Sequence, residues 1–367
     1  MSDSARAIGG HAARSDLGPA AGRPGGMTAD RGAVPWRVGT RASLLATTQS
    51  GQVAHTLAGL MARPVELVRV RTHGDVLTGS LASMGGTGVF AVALRRALLD
   101  GTCDGAVHSL KDLPVAPVPG LTMIVPRRED PRDALCAPAG ITLAGLPAGA
   151  RVGTGSPRRA AQVLAARPDL ELVDIRGNVD TRLARVLGPD PDLDAVILAY
   201  AGLVRLGRTE AASEILDLET MIPAAGQGAL AVEVRTADLA DPGLAAGLAA
   251  IDHTPTRLAV TAERAVLAGL DAGCAAPVGV HATVTGVTLT VSAVVASLDG
   301  RTKLMRAVSA ELPDALAPLD PGRLADWATG PSEASAAALG YRLADELLAA
   351  GARDVAPLGQ VASGHDR

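Results

Sequence analysis

RVGTGSPRRAAQVLAARPDLELVDIRGNVDTRLARVL, residues 151–187, reads as strand, helix, strand, helix in quick succession. RVGT is a short apolar strand. SPRRAAQVLAAR follows as a helix, with Ser156 placed to cap it and Pro157 at the first helical position, where a missing N–H leaves no bond unmade. ELVDIRG returns as a strand ended by Arg176, NVDTRLARVL as a helix that Asn178 can cap, and AVILAYAG at 195–202 as a third strand. Strands alternating with helices of this length specify a mainly parallel sheet covered on its faces.

The same alternation precedes this stretch. WRVGT at 36–40 is a strand, Ser43 opens a helix running to about Leu60, and VELVRV at 65–70 is an alternating strand. Residues 87–100 are helical and DGAVHS at 104–109 returns as a strand. Proline-rich 113–119 and the polar REDPRDAL at 128–135 break the pattern and mark a crossing between domains. GQGALAVEV at 226–234 reads as a buried strand after a glycine turn, bringing the chain back to the first lobe.

From about residue 252 the character changes. TRLAVTAERAVLAGL is a helix that stops near Asp271-Ala272-Gly273. A three-stranded meander follows, with turns at Thr285-Gly286 and Asp299-Gly300, and helix 333–350 closes it with Leu339, Leu343 and Leu347 on one stripe. The fold class expected is α/β, two lobes with a small C-terminal α+β domain built on a three-stranded antiparallel sheet. The expected limits are a disordered leader at 1–33, domain 1 at 34–128 with 226–248, domain 2 at 129–225, domain 3 at 249–358 and a tail at 359–367.

Composition narrows the function. The 367 residues are 48% apolar but contain only five aromatic side chains (Trp36, Phe90, Tyr200, Trp327, Tyr341), so the cores are aliphatic and alanine-rich. Basic residues number 34 against 38 acidic ones, for a net charge of −4. That balance, without stacking aromatics, argues against a nucleic-acid partner. Cys103, Cys136 and Cys274 form no disulfide framework, and no Cys/His spacing suggests a metal. The leader has no apolar core, Met27 offers an alternative start, and the longest apolar runs, such as AVILAYAGLV at 195–204, are too short for a bilayer. A cytoplasmic protein without a membrane partner is expected. Lys111 and Lys303 are the only lysines, against a background of arginine.

VGTGSPRR at 152–159 is built to hold an anion. Free N–H groups at a helix start, the Thr154 and Ser156 hydroxyls, and the forked donors of Arg158 and Arg159 suit carboxylate or phosphate. RGNVDTR at 176–182 repeats the design with Arg176 and Arg182, and GTRAS at 39–43 supplies Arg41 and Ser43. All three junctions fall at the carboxyl ends of their strands, where open α/β sheets bind ligands. VHSLKDLP at 107–114 adds Lys111 and Asp112 at the same edge, and a lone aspartate among cations suits stabilising positive charge on a substrate or moving a proton. Cys274, in DAGCAAPVG, is either a buried structural thiol or, facing a cleft, a nucleophile or attachment point.

GTRASLLA, VHSLKDLP, REDPRDA, VGTGSPRR, RGNVDTRL, LAYAGLVRLG, PAAGQGAL, VTAERAVL and GCAAPVG, in this order from about residue 36 to 355, resemble the porphobilinogen deaminase family. The resemblance implies two lobes folded like type II periplasmic binding proteins and a dipyrromethane cofactor joined by a thioether to Cys274. It implies an enzyme that condenses four porphobilinogen molecules head to tail with loss of ammonia, and then uses water to free hydroxymethylbilane. By match to the family motifs, Thr154, Ser156, Arg158, Arg159, Ser109, Lys111 and Asp112 bind the cofactor. Arg41, Ser43, Arg176, Arg182 and Phe90 meet substrate, Asp112 is the catalytic aspartate, and a monomer is expected. Thr87 stands where many members have lysine, and Ala93 to Arg96 replace an acidic stretch. A two-lobed solute-binding or sensor protein is the rival, although the leader carries no export signal. A thiol acyl transferase using Cys274 would need a histidine base, and neither His253 nor His281 shows a supporting pattern.

Overall fold

The computed structural model describes residues 34–70, 88–273, 276–313 and 316–359. Ser43, three residues beyond the first strand, caps the first helix, its side chain accepting the Ala46 N–H, so strand and helix meet at a tight junction. The first lobe runs β1 (Trp36–Thr40), α1 (Leu44–Met61), β2 (Val65–Arg69), α2 (Gly88–Leu99), β3 (Gly105–Ser109) and β4 (Leu121–Ile124). The second runs β5 (Asp133–Cys136), β6 (Arg151–Gly153), α3 (Pro157–Ala166), β7 (Glu171–Val173), α4 (Val179–Leu187), β8 (Ala195–Ala199), α5 (Tyr200–Leu206) and β9 (Glu214–Ile215). β10 (Leu230–Arg235) and α6 (Pro242–Ile251) then return to the first.

The two sheets share one topology. The first has the order β2-β1-β3-β10-β4 and the second β7-β6-β8-β5-β9. In each, four strands run parallel and one strand from the crossover is inserted antiparallel between the third and the last. This reciprocal exchange of β5 and β10 is the type II binding-protein arrangement expected from the sequence. Its physical trace is burial: β10 is flanked on both sides and buried from Leu230 to Val234, its one charge there, Glu233, being paired with Arg95, whereas β2 at the sheet edge is largely exposed.

Three local readings change. The polar run 128–135 contains the start of a strand, because Asp133 opens β5 as a fully buried ion partner rather than as a loop residue. β8 stops at Ala199, and Tyr200 begins α5. β7 ends at Val173, so Arg176 lies beyond the strand.

The third domain comprises α7 (Thr254–Gly269), β11 (Val278–Thr285), β12 (Thr288–Ala296), β13 (Lys303–Glu311), α8 (Pro331–Ala349) and α9 (Ala352–Val355). Its strands form an antiparallel meander, and Leu339, Leu343 and Leu347 of α8 pack with α7 and the sheet in one apolar cluster.

Candidate active site between the two sheets

β1 and β3 are parallel neighbours, so the turns that follow them, 41–43 and 109–112, share one edge of the first sheet. Arg41 is half-buried in the first of these turns. In the second, Ser109 donates to Gln49 of α1 at 3.1 Å, and Leu110 to Asp112 form a single helical turn. The backbone of that turn is tied down, with the Leu110 N–H given to Ala229 O and the Leu113 N–H to Leu110 O, both at 3.0 Å. The Asp112 carboxylate accepts no hydrogen bond among the described residues, and its charge interaction is with neighbouring Lys111.

The second sheet presents its cations at the matching edge. Ser156 caps α3 with Pro157 at its first position, as read from the sequence, and the Thr154 hydroxyl accepts the Ser156 N–H at 3.2 Å. Both hydroxyls therefore accept locally and keep an O–H to donate. Arg158 and Arg159 are buried, at 4% and 6% exposure, and grip the two oxygens of Asp133 at 2.8 and 2.7 Å. Burial alone would raise the Asp133 carboxyl, but the two guanidinium groups hold it far below the usual carboxylate range. One carboxylate cannot balance two arginines, and the Arg158 Nε is buried with no partner among the described residues.

Gln227 joins the sheets. Its side-chain N–H groups go to Pro131 O at 2.7 Å and Asp133 Oδ1 at 2.9 Å, and its oxygen accepts from Lys111 Nζ at 3.3 Å. Lys111 is pushed down to about 8, first by burial and then by the Arg159 charge across the gap. Glycine is required on either side of Gln227. Gly226 and Gly228 have φ of 73° and 85°, and an added Cβ would fall 2.2 Å from the Leu110 side chain and 2.5 Å from Glu129 O.

Arg182, half-buried, donates to Gly177 O at 2.9 Å, and Asn178 caps α4 as expected. Its basicity is lowered by burial and then by Arg159 and Arg176, so these arginines share one field. Arg176 is exposed and pairs loosely with Asp174 at 3.6 Å, a weak surface contact. Phe90 lies in the first turn of α2, but its side chain, with Thr87 and Cys274, falls outside the described residues.

The structure thus brings together Ser109, Lys111, Asp112, Thr154, Ser156, Arg158, Arg159 and Arg182, and adds Asp133 and Gln227, which sequence reasoning missed. REDPRDA and PAAGQGAL were visible as motifs, but nothing in either one names its partner. A crowded set of cations, an unpaired guanidinium N–H and two hydroxyls with protons to give fit a molecule carrying several carboxylates.

Comparison with known proteins agrees. A family model described as "Porphobilinogen deaminase, dipyromethane cofactor binding domain" matches residues 36–240, and one described as "Porphobilinogen deaminase, C-terminal domain" matches residues 257–349. The chain belongs to the porphobilinogen deaminase family. The porphobilinogen deaminase of Micrococcus luteus is 52% identical, covering 87% of this chain and 93% of that protein. That of Leifsonia xyli is 52% identical over 93% of this chain and 97% of its own. Among solved structures, a periplasmic substrate-binding protein of an ABC transporter from Coxiella burnetii aligns at 19% identity over 60% of this chain and 93% of that one, with a TM-score of 0.35.

The family places a dipyrromethane in the matched region, and the donor set suits it because each pyrrole ring of such a group carries two carboxylates. Among the described residues no cluster of metal-ligating side chains is found, and no helix is long and apolar enough to cross a membrane.

Proposed function

We propose that this member of the porphobilinogen deaminase family deaminates porphobilinogen and joins four molecules head to tail on a dipyrromethane attached through Cys274. Water then releases hydroxymethylbilane. The observation that carries this reading is the Lys111–Asp112 turn facing the Arg158–Asp133–Arg159 cluster across Gln227. Thr154, Ser156, Ser109, Lys111, Arg158 and Arg159 hold the carboxylates of the bound group. Arg41, Ser43, Arg176 and Arg182 hold those of the incoming ring, and Phe90 packs against a pyrrole. When bound, the dipyrromethane would supply the electron-rich ring carbon for the first new carbon–carbon bond, and the terminal ring of the growing chain would supply it for each later one. Asp112, free of other hydrogen bonds among the described residues, stabilises the positive charge that porphobilinogen gains as ammonia departs, and moves a proton there.

The family resemblance supports a monomer, and the buried, unpaired thiols of Cys103 and Cys136 support a reducing cytoplasm. Intact mass is the direct test. The wild-type protein is expected to carry the added mass of two pyrrole units and the Cys274→Ser variant to lack it. A wild-type chain that stays unmodified after incubation with porphobilinogen would leave a two-lobed binding protein as the better reading.

Lys111 makes the proposal sensitive to pH. In the free site it loses its proton near 8, whereas a carboxylate beside it favours the ammonium and raises that value. Binding therefore takes up a proton above about pH 8, and affinity is full below this pH and falls as pH rises through it. The expected result is loading of cofactor-free protein with the dipyrromethane that weakens as pH rises above 8, with the fall displaced upward in Lys111→Arg, whose guanidinium stays charged. The same alkaline limb in both proteins would remove Lys111 from carboxylate binding.

A further inference from the structure

α7 meets the first lobe at several points that bear on the turn carrying Asp112. Val260, with no exposed surface, packs in one apolar cluster with Leu110 and Leu113, which bracket Lys111 and Asp112. Glu263, fully buried, holds the crossover between the lobes by accepting from Arg128 Nη1 and from the Gly226 N–H, both at 2.6 Å. Arg264 extends its guanidinium to the three carbonyls that follow the turn, at 3.3 Å from Leu113 O, 2.7 Å from Pro114 O and 3.0 Å from Val115 O.

Arg264 makes no ion pair among the described residues. The nearby carboxylate, Glu233, is already engaged by Arg95 at 2.7 Å and His108 at 3.2 Å. Burial, then the Arg95 charge, pushes Arg264 down to about 10. A half-buried guanidinium held by neutral carbonyls alone gains little over an apolar side chain of equal size, unless its fork does something that packing cannot. Three successive carbonyls are met by one rigid planar group, which a point-like ammonium cannot match. The far end of α7 leads through Asp271, in a left-handed conformation at φ 50°, into the loop that contains Cys274.

We infer that Arg264 is a positioning residue, which locks the Asp112 turn in register with the helix leading to Cys274. The catalytic carboxylate then keeps one position against that helix through successive additions. This rests on the reading of Cys274 as the attachment site.

The test compares wild-type holoenzyme with Arg264→Met, first confirming by intact mass that both carry the pyrrole primer. The variant is expected to lose roughly 10- to 100-fold in kcat, as a displacement of about an ångström does, with KM changed by less than about threefold. Amide exchange across residues 110–116 should rise by about tenfold or more while β1 and β10 stay protected. A loaded Arg264→Met with normal kcat and unchanged exchange overturns the inference but leaves the deaminase reading standing, whereas an unloaded wild type defeats that reading instead. Should Arg264→Met not fold, Arg264→Lys decides by the same readings. A smaller fall in kcat with local exchange supports the inference, and wild-type behaviour in both reduces Arg264 to a packing role.

Discussion

Asp112→Ala is expected to lower turnover by at least about 10²- to 10³-fold, the range for removing one preorganised charge-stabilising group. The turn presents that carboxylate rigidly. Leu110 and Leu113 are buried at 1% and 6% exposure, and the backbone hydrogen bonds to Ala229 and within the turn leave it little freedom. Because the fold carries the stabilising group ready-placed, no reorganisation is needed when ammonia leaves. Asp112→Glu keeps the charge but moves the carboxyl outward by about one bond, ~1.5 Å, and misplacement on that scale costs up to about 10²-fold. Rapid-quench turnover on protein whose loading has been verified by mass separates slow chemistry from an empty site. Normal turnover by loaded Asp112→Ala would exclude the aspartate from the chemistry.

Asp133→Asn is expected to produce the largest loss of stability, on the order of 3–5 kcal/mol, because it strands two buried guanidinium groups without their counter-ion. The carboxylate has no exposed surface, and an amide in its place turns an NH2 donor toward one of the two guanidinium groups, which donate to opposite oxygens. Asp133→Glu is not expected to rescue fully, since a fully enclosed site has no room for another methylene. The pH dependence has a definite sign. Arg158 and Arg159 depress the folded-state value below the unfolded one, so this contribution is present above about pH 4 and is lost as pH falls toward the folded value. Wild-type protein should therefore lose melting temperature more steeply in acid than Asp133→Asn, which starts lower at neutral pH. Equal melting temperatures at pH 7 would show that the arginine pair stands without Asp133.

The local features of the site were legible in the sequence. The caps at Ser43, Ser156 and Asn178, Pro157 at a helix start, and the gathering of cations at strand-to-helix junctions all depend on residues within a few positions of each other. The run 128–135 reads as a break because it is polar and contains Pro131, which hides that Asp133 opens a buried strand. Charge in a strand argues against burial until its partners are known, and these lie 25 and 26 positions away.

By itself the sequence determined the alternation of strands and helices, the return of β10 to the first lobe, the meander of the third domain and the family. These follow from short-range periodicity, capping and motif order. The tertiary structure alone decided which charges meet. Lys111 finds Gln227 across 116 positions, Arg128 finds Glu263 across 135, and Arg95 finds Glu233 across 138. A charged residue carries no mark of its partner along the chain. Burial selects the pairs after folding, because an ion removed from water must be matched by whatever group the two crossovers bring alongside it.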